Sequence, residues 1–511
     1  MLVRRFIGRR LAAYYAQPSH KVVGRSTELE DVAAKSIGGN HFNGNANSNA
    51  NLLSSLLGEW HWKRVFRRIY EEREGHWLTP VELFQPHYSY VLGDFCAQYY
   101  ERMAPTQTTS TQETTTVPFE IVELGGGRGT NAKWILSYLK DHKPRVYASL
   151  ASYTLVDSSP SLHKTQMERF LNGPHAEKVR FELKDLVDVA QGTIPLVSKS
   201  NVPTVLMGME VLDNLPHDKI RGRIRHNLEQ AEVVSFIDNK KDKKKTTNST
   251  TKNSKQPPES SPKYKEKFVP LSDPLLKRVL RTLPNYYKQQ QQPQSNSTWV
   301  PSIACGVLQH AIHQRPNLGL VMADFDWLPD PDLDPDRKTS KDGYDSSNCT
   351  NETLAEGSPI VTDMKGIDHE SYITAPPHCD ILFPTDFEKL ASFAKRCLST
   401  ATRPPTAAVP AASASIRRNS KHPKSKSASK SASHSSPPLP KVVASMPKTE
   451  PITTATTMPV IRVEKQSQFL ERWGREHVAK TKSWLTGHTP LLHDFVNCSV
   501  LTISPEDHSS I

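Results

Sequence analysis

Cysteine is scarce and scattered in this chain. Six occur in 511 residues, at positions 96, 305, 349, 379, 397 and 498, and no two form a CxxC pair. Neither a structural zinc nor a disulfide framework is supported, and no metal is expected. The adjacent His378 and Cys379 read as loop residues rather than as ligands. Also missing is any run of the ~18 apolar residues that a transmembrane helix needs. A GxGxxG dinucleotide fingerprint is absent too, which disfavours an NAD-dependent enzyme. Mean hydropathy is low, −0.56. Prolines number 39, and much of the length is low in complexity. Residues 239–267 are rich in Lys, Ser, Thr and Pro, 288–298 in Gln, 330–358 in acidic and polar residues, and 401–450 in Ser, Pro, Ala and Lys. Such segments bury too little apolar surface to offset chain entropy, and they are expected to be disordered.

The net charge of +12 is unevenly spread. Residues 1–25, 240–265 and 401–450 carry +6, +7 and +8, which leaves −9 for the rest. The basic character therefore belongs to a leader and to inserts, and a nucleic-acid groove in the core is not indicated. The leader MLVRRFIGRRLAAYYAQPSHKVVGRST interleaves Arg4, Arg5, Arg9 and Arg10 with Leu2, Phe6, Ile7 and Leu11, and the first acid is Glu28. Arg-rich, acid-poor and amphipathic is the profile of a mitochondrial transit peptide. The expected location is the mitochondrial matrix.

What the chain does contain is a strand, a glycine turn and a helix. Residues 119–130 read FEIVELGGGRGT. Phe119, Ile121, Val122 and Leu124 suit a buried parallel strand. Glu123 stands near the strand end, and Gly125, Gly127 and Gly129 alternate before the helical stretch NAKWILSYLK. Glycines permit a tight turn and close approach of a cofactor to the backbone. The GxGxG spacing, with a carboxylate before it, favours a cofactor without phosphates that carries a cationic or amino group, and S-adenosylmethionine (SAM) fits. A second run, 151–157, ends in Asp157, placed to accept hydrogen bonds from ribose hydroxyls. A third, VRFELKD, ends in Asp185, which could reach an adenine edge. In a fourth, PTVLMGMEVLDNLPHDKI, the strand Val205–Met209 is followed by a loop bearing Glu210, Asp213, Asn214 and His217. Ligands of open α/β sheets bind outside the carboxyl ends of the strands, so this loop is the candidate acceptor wall.

Several of these stretches together resemble the MidA-like methyltransferases, in a divergent eukaryotic branch. ELGGGRGT is similar to that family's ELGPGRGT, with Gly126 where proline is usual. EVLDNLP at 210–216 is similar to NEFLDALP. HWLTPVELFQPHYSYVLGDF at 76–95 resembles the family's segment ending in SPEISQ, and YITAPPHCDILFPTDFEKLASFA at 372–394 resembles its DITAHVDF region. LGLVMADFDWLPD at 318–330 resembles a strand and loop of the divergent branch. The pieces run in family order across residues 60–400.

The resemblance implies an α/β, Rossmann-like class I methyltransferase fold with an N-terminal helical cover and long disordered inserts. The expected layout is a transit peptide at 1–25, a linker at 26–59, and a catalytic domain at 60–400 with inserts 239–267, 288–298 and 330–358. A basic segment follows at 401–450, and 451–511 completes the domain. Helices before the glycine motif would cover the site, with Trp62, Trp77 and Tyr90 as packing residues and HWLTPVELFQP as a lid. Thr298–His313 should be a helix. SAM is the implied cofactor, bound by Glu123, Gly125, Gly127, Gly129, Asp157 and Asp185. Glu210, Asp213 and His217 are the implied catalytic residues. Mitochondrial members of the family symmetrically dimethylate an arginine of a core subunit of complex I (NADH:ubiquinone oxidoreductase) during early assembly, so such a subunit is the expected partner. The alternatives are a methyltransferase acting on another protein, RNA or a small molecule, and a catalytically inactive scaffold that keeps the fold.

Overall fold

Four of the apolar runs pair as parallel strands, as β-branched and leucine-rich segments buried on both faces should. The computed structural model describes residues 1–17, 53, 57–71, 79–104, 117–223, 226–236, 263–283, 297–328, 357–363, 367–401 and 459–505. The chain opens with helix α1 (Val3–Tyr15), followed by α2 (Glu59–Glu71) and α3 (His87–Met103). The first half of the sheet is then laid down as β1 (Phe119–Leu124), α4 (Thr130–His142), β2 (Leu150–Asp157), α5 (Pro160–Phe170), β3 (Val179–Leu183), α6 (Leu186–Gln191) and β4 (Thr204–Met209). Next come strands β5 (Asp218–Arg223), β6 (His226–Phe236) and β7 (Lys263–Pro270), helix α7 (Pro274–Thr282), strand β8 (Thr298–Val300), helix α8 (Ser302–Gln314) and strand β9 (Leu318–Phe325). The chain ends with β10 (Ile360–Thr362), β11 (Asp380–Leu382), α9 (Phe387–Ala401), β12 (Val460–Lys465), α10 (Gln466–Ala479) and β13 (Cys498–Ser504).

The main sheet has seven strands in the order β3-β2-β1-β4-β9-β13-β12. The first five are mutually parallel, with Val122 of β1 opposite Thr154 of β2 and Leu206 of β4. β13 runs antiparallel to both of its neighbours. This is the doubly wound Rossmann-like order with one reversed strand, the class I methyltransferase arrangement. The strand order reverses between β1 and β4, so the crevice at their carboxyl ends is where a doubly wound sheet takes its ligand. Apolar cores lie on both faces. One gathers Tyr88, Phe95, Ile135 and Trp473, and the other Val189, Ile303, Leu308 and Phe393. A four-stranded sheet, β7-β6-β5-β8, stands beside the main one.

Several boundaries differ from those the sequence suggested. Residues 3–15, expected as a leader outside the domain, form α1 of the same unit, which comprises Met1–Thr402 with Pro459–Ile511. The apolar face of α1 (Val3, Phe6, Ile7, Leu11) is buried against Ala231, Val233 and Ile381. Residues 460–504 supply β12, α10 and β13 of the same unit. Residues 263–267, expected within an insert, belong to β7, where every second residue is half-buried against β6. Thr298–Val300 are strand rather than helix. They pair with β5, and the helix starts only after Pro301. Trp62 and Tyr90 pack among other rings, Trp62 against Phe66 and Phe84. Trp77, residues 239–262, 288–296, 330–356 and 403–450 lie outside the described residues. Within them, no helix is long and apolar enough to cross a membrane.

Candidate functional site

The glycine turn lies at the carboxyl end of β1, at the switch point. Gly125, Gly127 and Gly129 all have left-handed backbone, with φ of 62°, 51° and 76°. Their surroundings differ. A Cβ on Gly126 would lie 2.4 Å from Leu155 Cδ2, whereas a Cβ on Gly127 would meet no atom within 4 Å. Leu155 thus fills the space that a proline ring at position 126 would use, which explains the one departure from the ELGPGRGT pattern. The open space over Gly127 is backbone left bare toward the crevice, and it fits the close approach of a cofactor.

Asp157 closes β2. Its Oδ1 accepts from the Ser159 amide at 2.9 Å and its Oδ2 from Gln166 Nε2 at 3.2 Å. Gln166 Nε2 also donates to the Gly127 carbonyl at 2.9 Å, which ties the end of β2 to the glycine turn. Burial pushes the Asp157 carboxyl up to about 6. Asp157 and Gly127 are thus brought together. Glu123, 3% exposed, stands one residue before the end of β1. Its Oε1 accepts from Asn131 Nδ2 at 2.9 Å and its Oε2 from the Tyr153 hydroxyl at 2.8 Å, and burial pushes it up to about 7. Both oxygens are engaged, as those of Asp157 are, and they tie the strand end to α4 and β2. Asp185 is exposed and caps α6, accepting from the Val187 amide at 2.8 Å. Local capping accounts for that aspartate.

Opposite this wall, the β4 loop collects carboxylates. Glu210 adopts left-handed backbone, φ 52°, and its amide donates to the Ala323 carbonyl of β9. A glutamate held there is strained, and such strain persists only where the surroundings enforce it. Asp324, at the end of β9, holds the loop. Its Oδ2 accepts from the amides of Leu212 at 2.7 Å and Asp213 at 3.1 Å. Asp213 is 3% exposed, and its Oδ1 has no hydrogen-bond partner. Asp380 of β11 accepts from Asn214 Nδ2 at 2.9 Å. Burial, with Asp324 as a close like charge, holds Glu210 well above the usual carboxylate range. The same two causes, with Asp380 and Glu210 added, raise Asp213, while burial pushes Asp324 and Asp380 up to about 7. Among the described residues, none of these four carboxylates makes an ion pair.

His217 is buried, and its ring stacks on Phe383 with centroids 4.0 Å apart. Nδ1 donates to the Leu215 carbonyl at 2.9 Å, which leaves Nε2 as the basic nitrogen. Burial lowers its pKa to about 4, so the imidazole is neutral near pH 7. It borders a cavity of about 570 Å³ lined also by Trp299, Asp326, Thr385, Glu464 and Lys465. That cavity includes neither the glycine turn nor Asp157, so it is not the cofactor crevice.

Asp324 and Asp380 were missed as site residues by sequence reasoning. A signal existed for Asp324, since ADFD repeats the pattern of an acid at a strand end. Asp380 had none, because β11 meets the β4 loop only in the fold, through Asn214 on Asp380 and the Phe383 amide on the Asp213 carbonyl. Among the described residues, no group of three or more His, Cys, Asp or Glu side chains is placed to hold a metal.

The raised carboxyls predict a pH dependence of stability. Asp157, Glu123, Asp324 and Asp380 sit at about 6 to 7 when folded, against about 4 in an unfolded chain. Between about pH 4 and 7 the folded state therefore binds more protons, and stability falls as pH rises, by about 1.4 kcal/mol per pH unit for each proton retained. The melting temperature should drop from pH 5 to pH 8, and Asp380→Asn should flatten the drop. A melting temperature that rises over that interval would contradict the assignment.

A switch-point crevice with a bare glycine turn facing a buried carboxylate defines a nucleoside-cofactor enzyme of the methyltransferase type. Residues 91–406 match the family described as "Putative S-adenosyl-L-methionine-dependent methyltransferase". The chain belongs to this family, the MidA-like SAM-dependent methyltransferases. Among solved structures it is similar to a COG1565 superfamily member from Burkholderia thailandensis bound to S-adenosyl-homocysteine. The identity is 12% and the TM-score 0.50, over 99% of this chain and 87% of that one. A second COG1565 superfamily protein from the same organism matches at 12% identity and TM-score 0.46, over 94% and 92%. No curated protein matches the chain. When bound, SAM supplies an electrophilic methyl group on a sulfonium. The open space over Gly127 and the Asp157 carboxylate at the end of β2 fit such a group, and these residues would hold it.

Proposed function

We propose that the protein is a SAM-dependent arginine methyltransferase that symmetrically dimethylates a core subunit of complex I during its assembly in the mitochondrial matrix. One observation carries the acceptor class. Glu210, Asp213, Asp324 and Asp380 gather around the loop after β4, the three aspartates buried and Glu210 half-buried, with raised pKa values and without a cation among the described residues. A guanidinium has five N–H donors in a fixed fork and remains protonated in water. Entering this wall, it would supply the missing charge and the donors that Asp213 Oδ1 lacks.

The residues then divide the work. Asp324 fixes the loop through two backbone amides and stays in place. Glu210 and Asp213 hold and orient the guanidinium, which makes the transfer largely a matter of positioning. As the new N–C bond forms, the acceptor nitrogen must lose a proton. A carboxylate of the pair with a raised pKa is a better acceptor for it than an ordinary one, whereas burial leaves His217 a weaker base, and it borders the other cavity. The complex I subunit and the matrix location rest on the family resemblance and on the Arg-rich N-terminus.

The test is to compare arginine methylation in the mitochondrial proteome with and without the protein, by mass spectrometry. In parallel, the purified chain is assayed with SAM and arginine-containing peptides. Loss of symmetric dimethylarginine from a complex I subunit is the expected result. An unchanged arginine methylome, with methyl transfer to RNA or a small molecule instead, would replace the acceptor. SAM binding without any turnover would point to the scaffold.

A further inference from the structure

We propose that α1 is a strap across the cofactor crevice that stays on the mature chain, and that Tyr15 at its end is a positioning residue joining the ribose-side wall to the acceptor loop. The inference rests on the reading of Asp157 and the β4 loop as the two walls of a SAM site.

The start of the strap is anchored by charge. Arg4 is 1% exposed. Its Nη1 donates to Asp218 Oδ2 at 2.6 Å and to Asp273 Oδ1 at 2.9 Å, and its Nη2 donates to Asp273 Oδ2 at 2.7 Å. Asp218 also accepts from Ser302 Oγ, and Asp273 caps α7 through the Leu276 amide. Two structural carboxylates therefore depend on one arginine of α1. Cutting a buried ion pair in half leaves the remaining charge uncompensated, so loss of Arg4 would not be neutral for the rest of the fold. The middle of α1 is held by rings and carbonyls. Phe6 meets Tyr264 edge-on at 5.0 Å, and the Arg10 guanidinium donates to the carbonyls of Ala375, Pro376 and Ile373.

The end of the strap bridges the crevice. The Tyr15 carbonyl accepts from Ser159 Oγ at 2.8 Å, and the Ser159 amide is the one that donates to Asp157. The Tyr15 hydroxyl donates to Asn214 Oδ1 at 2.6 Å, and Asn214 in turn donates to Asp380. A single hydrogen-bonded path thus runs from Asp157 through Ser159, Tyr15 and Asn214 to Asp380. It crosses from the end of β2 to the loop after β4, the two strands that flank β1 in the sheet. Burial, together with nearby Asp380, keeps the Tyr15 phenol protonated, so it remains a donor. A helix whose loss would break this path and orphan Asp218 and Asp273 is part of the working enzyme.

The experiment uses the full chain, with S-adenosyl-homocysteine as the probe. Tyr15→Phe removes only the hydroxyl. The expected result is a dissociation constant raised about five-fold, the worth of one hydrogen bond, with a melting temperature within about 2 °C of wild type. Bound probe should also slow amide hydrogen exchange in residues 3–15 of the wild type. Equal affinity of Tyr15→Phe and wild type would overturn the positioning role. A wild-type chain that binds no probe would overturn the cofactor reading, a distinct failure. The intact mass of the protein recovered from cells supplies the other arm. A mature chain that keeps α1 supports the strap, and one that begins beyond Tyr15 overturns it.

Discussion

Gly127→Leu should abolish measurable SAM binding, raising the dissociation constant at least ~100-fold, while the chain still folds. Nothing in the protein lies within 4 Å of where the new Cβ would sit. The added side chain therefore displaces no core atom, and it fills only the space in which a cofactor would approach the backbone. Its stability cost is limited to the left-handed backbone, about 1–2 kcal/mol. Gly126→Leu is the matched control with the opposite outcome. Its Cβ would press on Leu155, so that variant should lose stability as overpacked cores do, by about 1–3 kcal/mol. Calorimetric titration and thermal melting of the two variants separate the cases. Retained SAM affinity in Gly127→Leu would contradict the cofactor assignment.

Glu210→Gln should lower turnover strongly, about 100-fold or more, the scale of a lost general base, with SAM affinity changed less than three-fold. The substitution preserves shape and the strained backbone but removes the charge. Glu210 lies on the wall opposite Asp157, so the cofactor side should not sense the change. Its pKa is raised by burial and by Asp324. The wild-type rate should therefore rise with pH as the carboxyls lose their protons, and the variant should lose part of that rise. Unchanged turnover in a purified-enzyme assay would remove Glu210 from the chemistry.

The parts of the site that lie close together in sequence were legible from it. Strand β1, the glycine turn and α4 follow within 24 residues, and the apolar run, the glycines and the amphipathic helix each announce themselves locally. Asp157 and Glu210 could be placed because a carboxyl-terminal strand position is recognisable without knowing the partner strands. The partners of Glu123, Asn131 and Tyr153, come from two other elements, and only the fold shows that both of its oxygens are engaged. Asp380 and Tyr15 were invisible for the same reason. They reach the site across 166 and 199 residues from Asn214, and no local pattern encodes such an approach. The Arg-rich N-terminus shows a further limit. The amphipathic pattern of a targeting helix suits packing onto β6 equally well, and the burial of Arg4 between two aspartates is a tertiary fact that no local pattern encodes.

The reversed strand β13 has a consequence for how the protein comes into being. It lies between β9 and β12 in the sheet, yet it follows both along the chain. Until residue 504 has been made, β9 is an open edge carrying unpaired backbone groups, and β12 has no neighbour in the sheet. The first helix waits as well, since its partners range from Asp218 to Phe383. Folding is therefore concentrated at the end of synthesis, as expected where contacts distant in sequence dominate. A premature stop before β13 leaves that edge open and should yield aggregate rather than a shortened enzyme.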